Sequence, residues 1–140
     1  MLWEPAEFKD SEEDERRRIT RLNSATNSAC FVADDQGRIV GFLSAMGGPV
    51  NRLRHSTTLA LAVRRSHWKQ GIGSGLLAEA LSWSRAAGLI RVELTVNTTN
   101  QRAFELYQRH GFEVEGTRRK SLLVNGRLID EYLMSLTNAA

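Results

Sequence analysis

The stretch Lys69-Gln70-Gly71-Ile72-Gly73-Ser74-Gly75-Leu76-Leu77 decides how the rest of the chain is read. Ahead of it, residues 57–63 alternate: Leu59, Leu61 and Val63 face one way, Ala60 and Ala62 the other, which predicts a strand with one bulky and one small face. Behind it, Leu76, Leu77, Ala80, Leu81 and Trp83 recur at helical spacing until Gly88. A strand, a glycine-rich turn and a helix therefore follow one another. Glycines 71, 73 and 75 leave the backbone bare, and the helix aims unsatisfied N–H groups at the turn, so an anion can sit there. Arg64, Arg65 and Lys69 add donors for phosphate.

Two phosphate motifs fail on spacing. A nucleotide P-loop needs lysine and then serine or threonine after its last glycine, where this chain has Leu76 and Leu77. A dinucleotide fingerprint needs a third glycine at the place of Leu76.

Working outward, residues 29–33 and 38–45 read as strands of an antiparallel hairpin about Asp34-Asp35-Gln36-Gly37. Downstream, residues 90–96 are a β-rich run, and Asn100 is a candidate N-cap for a helix over residues 101–109. Residues 112–124 and 127–136 flank Asn125-Gly126, a strong hairpin signal, and a two-residue turn there sets Lys120 opposite Glu131 and Ser121 opposite Asp130. Upstream, residues 11–23 begin acidic and end basic, which suits an amphipathic surface helix without chemistry of its own. The order is strands, helix, strand, helix, strands. That predicts a single α+β domain with a mixed sheet over residues 1–140.

Composition narrows the function. Of 140 residues, 41% are hydrophobic and 25% charged, which is ordinary globular usage and too apolar for intrinsic disorder. No apolar run reaches the roughly 20 residues of a membrane span, and the acidic start lacks the pattern of a signal peptide, so a cytoplasmic location without membrane contact is expected. Cys30 is the only cysteine, which excludes an intramolecular disulfide and a cysteine metal cluster. Three scattered histidines lack metal-ligand spacing, so no metal is expected. Residues 1–50 carry 6 basic and 9 acidic side chains; residues 51–140 carry 13 and 7. The later part attracts an anion, either a polyanion or a small phosphorylated ligand. Aromatics are few and not interleaved with the basic residues, which argues against nucleic acid.

Two segments carry a resemblance. Gln70-Gly71-Ile72-Gly73-Ser74-Gly75 matches the Q/R-x-x-G-x-G/A segment of the GNAT superfamily of acyl-CoA-dependent N-acetyltransferases. Residues 96–112, from Val96 through Asn100, Ala103, Leu106 and Tyr107 to Gly111 and Phe112, look like that superfamily's second signature. The similarity spans roughly residues 30–136. It implies the acyl-CoA N-acyltransferase fold and acetyl-CoA as co-substrate, with Gln70, Gly71, Ile72, Gly73, Ser74 and Gly75 at the pyrophosphate and Lys69 beside them as a further cofactor-binding donor. It also implies a pantetheine arm running past Asn97, Asn100 and Ala103, held by the main chain of Leu61, with the Val63 N–H on the acetyl carbonyl. The helical spacing is compatible: Asn100, Ala103 and Tyr107 share one face, the first and last about 10 Å apart.

The family reaction is direct attack of an amine on the thioester. A thiol of pKa near 8.5 leaves, and Tyr107 is the candidate general acid, with a plain helix anchor as its alternative role. The general base is less defined. Many members place a glutamate on the strand before the glycine turn, whereas this chain reads His55-Ser56-Thr57-Thr58-Leu59-Ala60-Leu61-Ala62. His55 and, on the following strand, Glu93 are the candidates, a surface or packing role being open for each. The strand and helix that usually open the fold are not evident before the acidic segment. The true start lies upstream, the fold is trimmed, or a second copy completes the site, and an unpaired sheet edge makes a homodimer an expectation. The expected activity is acetyl transfer to a primary amine of a small molecule or protein N-terminus. The alternative is a non-catalytic acyl-CoA-binding regulatory module.

Overall fold

The structure, a computed structural model, describes residues 26–139. The helix expected over residues 11–23 lies outside that range. Strands β1 (Ala29–Asp35) and β2 (Arg38–Gly47) pair antiparallel across Gln36-Gly37, whose φ values of 52° and 84° give the left-handed pair that matches strand twist. Strand β3 (Ser56–Val63) continues antiparallel from β2. Helix α1 (Ile72–Ala86) starts at the glycine turn, and Gly88 follows its end at φ 74°. Strand β4 (Arg91–Asn97) leads to helix α2 (Gln101–Arg109), where the Asn100 side chain accepts the Ala103 N–H at 3.1 Å as an N-cap. Strands β5 (Glu113–Val124) and β6 (Arg127–Thr137) close the chain around Asn125-Gly126.

The described strands form one six-stranded mixed sheet in the order β1-β2-β3-β4-β6-β5. This is the mixed α+β architecture that the element order predicts. One face of α1, carrying Leu76, Leu77, Ala80 and Leu81, packs with Leu43, Leu59, Val92, Leu94 and Met134. Each fully buried leucine there contributes about 1.5–3 kcal/mol, so this cluster anchors the turn to the sheet.

One predicted register is corrected. Beside the turn, Val124↔Arg127, Leu123↔Leu128 and Leu122↔Ile129 follow the simple two-residue pairing. The ladder then slips, and Arg118 rather than Lys120 stands opposite Glu131. Lys120 causes the slip: its φ is 53° and its N–H donates to the Asp130 carboxylate at 2.7 Å, which bulges the strand. Neither Lys120–Glu131 nor Ser121–Asp130 is a strand pair.

A second irregularity positions the site. Strands β3 and β4 run parallel and pair only at Ser56↔Arg91, Thr57↔Val92 and Thr58↔Glu93, after which they part. The Arg64 N–H donates to the Val40 carbonyl and the Gly48 N–H to the Ser56 carbonyl, so even-numbered residues of β3 aim their main-chain groups at β2. By alternation, the main-chain groups of Leu59, Leu61 and Val63 face the open seam.

Candidate active site

Two cavities meet at that seam. The first, about 360 Å³, lies between the glycine turn and α2, with Val63, Trp68, Lys69, Gly73, Arg102 and Arg109 among its walls. The second, about 210 Å³, opens toward the sheet face carrying Thr58, Ala60, Thr95 and Asn97, with Phe42, Leu122 and Glu131 around it. Leu61, Ala62, Asn100, Ala103 and Tyr107 line both. A path therefore runs from the turn, along one face of α2, through the sheet.

Among the residues singled out from sequence, Leu61, Val63, Lys69, Gly71, Ile72, Gly73, Ser74, Asn100, Ala103 and Tyr107 line the first cavity. Asn97 lines the second, and its side chain also accepts from the Thr99 N–H and hydroxyl at 2.8 and 2.7 Å. Gln70 and Gly75 line neither and are exposed.

At the start of α1 the first helical bond runs from the Gly75 N–H to the Gly71 carbonyl at 2.9 Å, leaving the amides of Ile72, Gly73 and Ser74 ahead of it. No side chain caps this end. Gly71, at φ 79°, needs glycine for its backbone. Gly73 does not: its backbone is helical, and an added Cβ would meet Leu106 at 3.5 Å and Leu61 at 3.7 Å, ordinary contact distances. A helical glycine costs about 1 kcal/mol relative to alanine, so the fold alone does not ask for one there. A bare backbone at this position leaves the amides open to the cavity.

Trp68 carries no motif in the sequence. Its indole N–H donates to the Val63 carbonyl at 2.8 Å, and the guanidinium carbons of Arg65 and Arg102 stand 5.3 and 5.2 Å from the ring. Arg102 lies 34 positions further on, so no local motif announces the stack. Because the indole occupies the Val63 carbonyl, that residue's N–H is its remaining seam-facing group. Ser74 bonds His110 at 3.0 Å, tying the turn to the end of α2, and burial together with nearby Arg109 lowers the His110 pKa. His67 is held between Ser66 and Asp35 at 2.8 and 2.9 Å. Among the described residues no group of three His, Cys, Asp or Glu side chains could hold a metal ion, and no helix is long and apolar enough to cross a membrane.

Tyr107 is 8% exposed and packs edge to face on Phe112 with ring centres 5.9 Å apart. Burial pushes its pKa up to about 12, so the phenol keeps its proton at neutral pH. It is buried in the core yet borders both cavities.

The two base candidates are not brought to this place. His55 is exposed just before β3, and its carbonyl accepts from Ile90 and Arg91 at the paired end of the seam. Eight residues of extended chain, about 26 Å, separate it from Val63. Glu93 stands opposite Thr58 in the same paired end and is engaged by Arg91 at 2.7 Å and the Thr58 hydroxyl at 3.4 Å. Neither lines a cavity. The acid that does line the second cavity is Glu131, only 5% exposed, for which the sequence offers only a place in the hairpin.

Residues 1–112 match the acetyltransferase (GNAT) family. The chain belongs to the GNAT family. This GNAT chain is similar to the L-amino acid N-acetyltransferase AaaT of Escherichia coli, at 36% identity over 110 residues that cover 75% of the chain and 65% of that protein. It is also similar to N-acetyltransferase 8 of Homo sapiens, at 31% identity over 70% of the chain and 44% of that protein. It thus spans less than two thirds of either relative. An acetyltransferase of the GNAT family from Streptococcus pneumoniae superposes with a TM-score of 0.86 at 33% identity, covering 94% of this chain and 79% of its own. This is the GNAT acyltransferase fold.

Proposed function

We propose that the protein transfers the acetyl group of acetyl-CoA to a primary amine. One observation carries this reading: the uncapped amides of α1, the Asn100–Ala103–Tyr107 face of α2 and the Leu61–Val63 stretch of β3, which β4 does not pair, border one continuous path through the sheet. A diphosphate suits the amides together with Lys69, Arg102 and Arg109, and a thin arm suits the groove beside Ala103. A Salmonella typhimurium protein of the same fold, with a TM-score of 0.81 at 20% identity, has been solved with its cofactor acetyl-CoA, which supports the choice of ligand.

The thioester then lies where the cavities join. The Val63 N–H polarises the acetyl carbonyl, where negative charge develops in the transition state. The amine nitrogen bonds to the carbonyl carbon, the C–S bond breaks, and the leaving sulfur receives a hydrogen bond and then a proton from Tyr107. The amine gives up a proton as the amide forms, which restores the phenol. The second cavity takes the acceptor. Its size favours a compact amine, and the likeness to a protein named for L-amino acids favours an amino-acid-like one.

Thermal melting with saturating ligand tests the cofactor: acetyl-CoA raises the melting temperature by mass action, while ATP and NAD do not. Thiol release across a panel of primary amines tests the transfer. A chain that ignores acetyl-CoA, or binds it and releases no thiol with any amine, overturns the proposal.

A further inference from the structure

The second cavity contains one carboxylate, and its surroundings are unusual for a buried charge. Glu131 comes from β6, opposite Asn97 of β4 and Arg118 of β5. Its side chain is 6% exposed. The charged group facing it is Arg118, whose Nη1 lies 3.9 Å away, beyond hydrogen-bond length, on a side chain 61% exposed. The other titratable group of the cavity wall is Tyr107, an acid form at neutral pH; β2, β3 and β4 bring only apolar or neutral polar residues, including Phe42, Thr58, Thr95 and Asn97. Glu131 lines this cavity with its one charged neighbour beyond hydrogen-bond length, so a cation that enters finds an opposite charge with little competition.

We infer that Glu131 binds the positive charge of the acceptor, so that the second cavity selects compact primary amines in their ammonium form. The inference rests on the acetyl-transfer reading and adds the acceptor's charge to it. The placement fits: Glu131 and Tyr107 border the same cavity from different elements, so an ammonium held at Glu131 waits beside the point where the thioester arrives. The ammonium loses one proton to solvent to become the attacking amine. Cavity size sets the other limit, since about 210 Å³ is below the usual range of about 300–1,000 Å³ for drug-sized ligands and suits a single amino acid or a short alkyl amine.

The test compares wild type with Glu131→Gln on two acceptors: a short alkyl amine, charged at neutral pH, and methoxyamine, uncharged there. Thiol release gives kcat and KM, and melting with and without acetyl-CoA reports cofactor binding. With Glu131→Gln, kcat/KM for the alkyl amine falls about a hundredfold, mainly through KM, while methoxyamine loses less than threefold and the acetyl-CoA melting shift is unchanged. Glu131→Asp, which keeps the charge, retains the preference for the alkyl amine and serves if the glutamine variant does not fold. Equal losses on both acceptors assign Glu131 a structural role and overturn the inference, as does full activity of Glu131→Gln on the alkyl amine. A wild type inactive on every amine overturns this inference and the transfer reading together; an active wild type with an indifferent Glu131 overturns this one alone.

Discussion

The two cavities on either side of the parted seam are built in opposite ways. The first draws most of its wall from two short runs, residues 61–74 and 100–109. The second gathers Phe42 from β2, Thr58 and Ala60 from β3, Thr95 and Asn97 from β4, Leu122 from β5 and Glu131 from β6. The first works chiefly through main-chain amides at a helix start, which any side chain small enough leaves available. The second works through side chains whose meeting depends on strand register. In the proposed reaction, the cofactor side is thus held by local geometry, whereas the acceptor side changes with single residues.

The largest effect is expected where the two sides join. In the proposed reaction, Tyr107→Phe removes the proton donor but keeps the ring that packs on Phe112. General acids typically contribute about 10²–10⁴-fold, so kcat drops by that order while the acetyl-CoA melting shift survives. Equal loss of turnover and shift would instead assign the phenol to the cofactor side alone. Ala103 borders both cavities, so Ala103→Leu is expected to fill the arm's path. The acetyl-CoA shift then disappears, and thiol release falls at least tenfold, at a fold cost of about 1–3 kcal/mol if the neighbouring Leu106 and Tyr107 have to yield. A retained shift would show that the arm runs elsewhere.

The same contrast explains what the sequence disclosed. The turn, both described helices and the Asn100 cap are encoded within a few neighbouring residues, and their expected limits match the structure closely: residues 101–109 are the whole of α2. Hairpin partners near Asn125-Gly126 were equally legible because turn geometry fixes the first pairs. Glu131 was not, since its partners depend on a bulge at Lys120 that rests on one bond from the Lys120 N–H to the Asp130 carboxylate. His55 and Glu93 looked suitable by residue type and strand membership. Only the length of the β3–β4 ladder shows that both belong to its paired end. Trp68 escaped because its partners come from separate segments.

Two glycines provide a smaller, cleaner comparison. Gly75 is helical, exposed, and has nothing within 4 Å of an added Cβ, and it lines neither cavity. Gly75→Ala is expected to stabilise the protein by about 0.5–1 kcal/mol, raising the melting temperature by a few degrees, with the acetyl-CoA shift intact. Gly73→Ala gains similar helix propensity, but its methyl group enters the first cavity, so its acetyl-CoA shift shrinks. Identical ligand responses of the two variants would remove the argument that Gly73 is bare for the ligand.

The smallest effect concerns a second acid brought in by a bulge, Glu115, which is everything that Glu131 is not: exposed and fully engaged. Arg91 holds it with two bonds, at 2.8 and 2.6 Å, and the Ser135 hydroxyl adds one at 2.6 Å. Those donors, Arg91 first, hold its carboxyl at about 2, below an ordinary 4.5. Between those values the unfolded chain binds more protons than the folded one, so stability increases with pH across that window. The contribution is complete above the ordinary value and is lost as pH falls through 2. Being exposed to solvent, it is modest and weakens with salt. Glu115→Gln is therefore expected to melt lower than wild type at pH 6, with the gap closing as the pH approaches 2. A gap that stayed constant with pH would mean that Glu115 acts by shape and hydrogen bonding and that its charge contributes nothing to the fold.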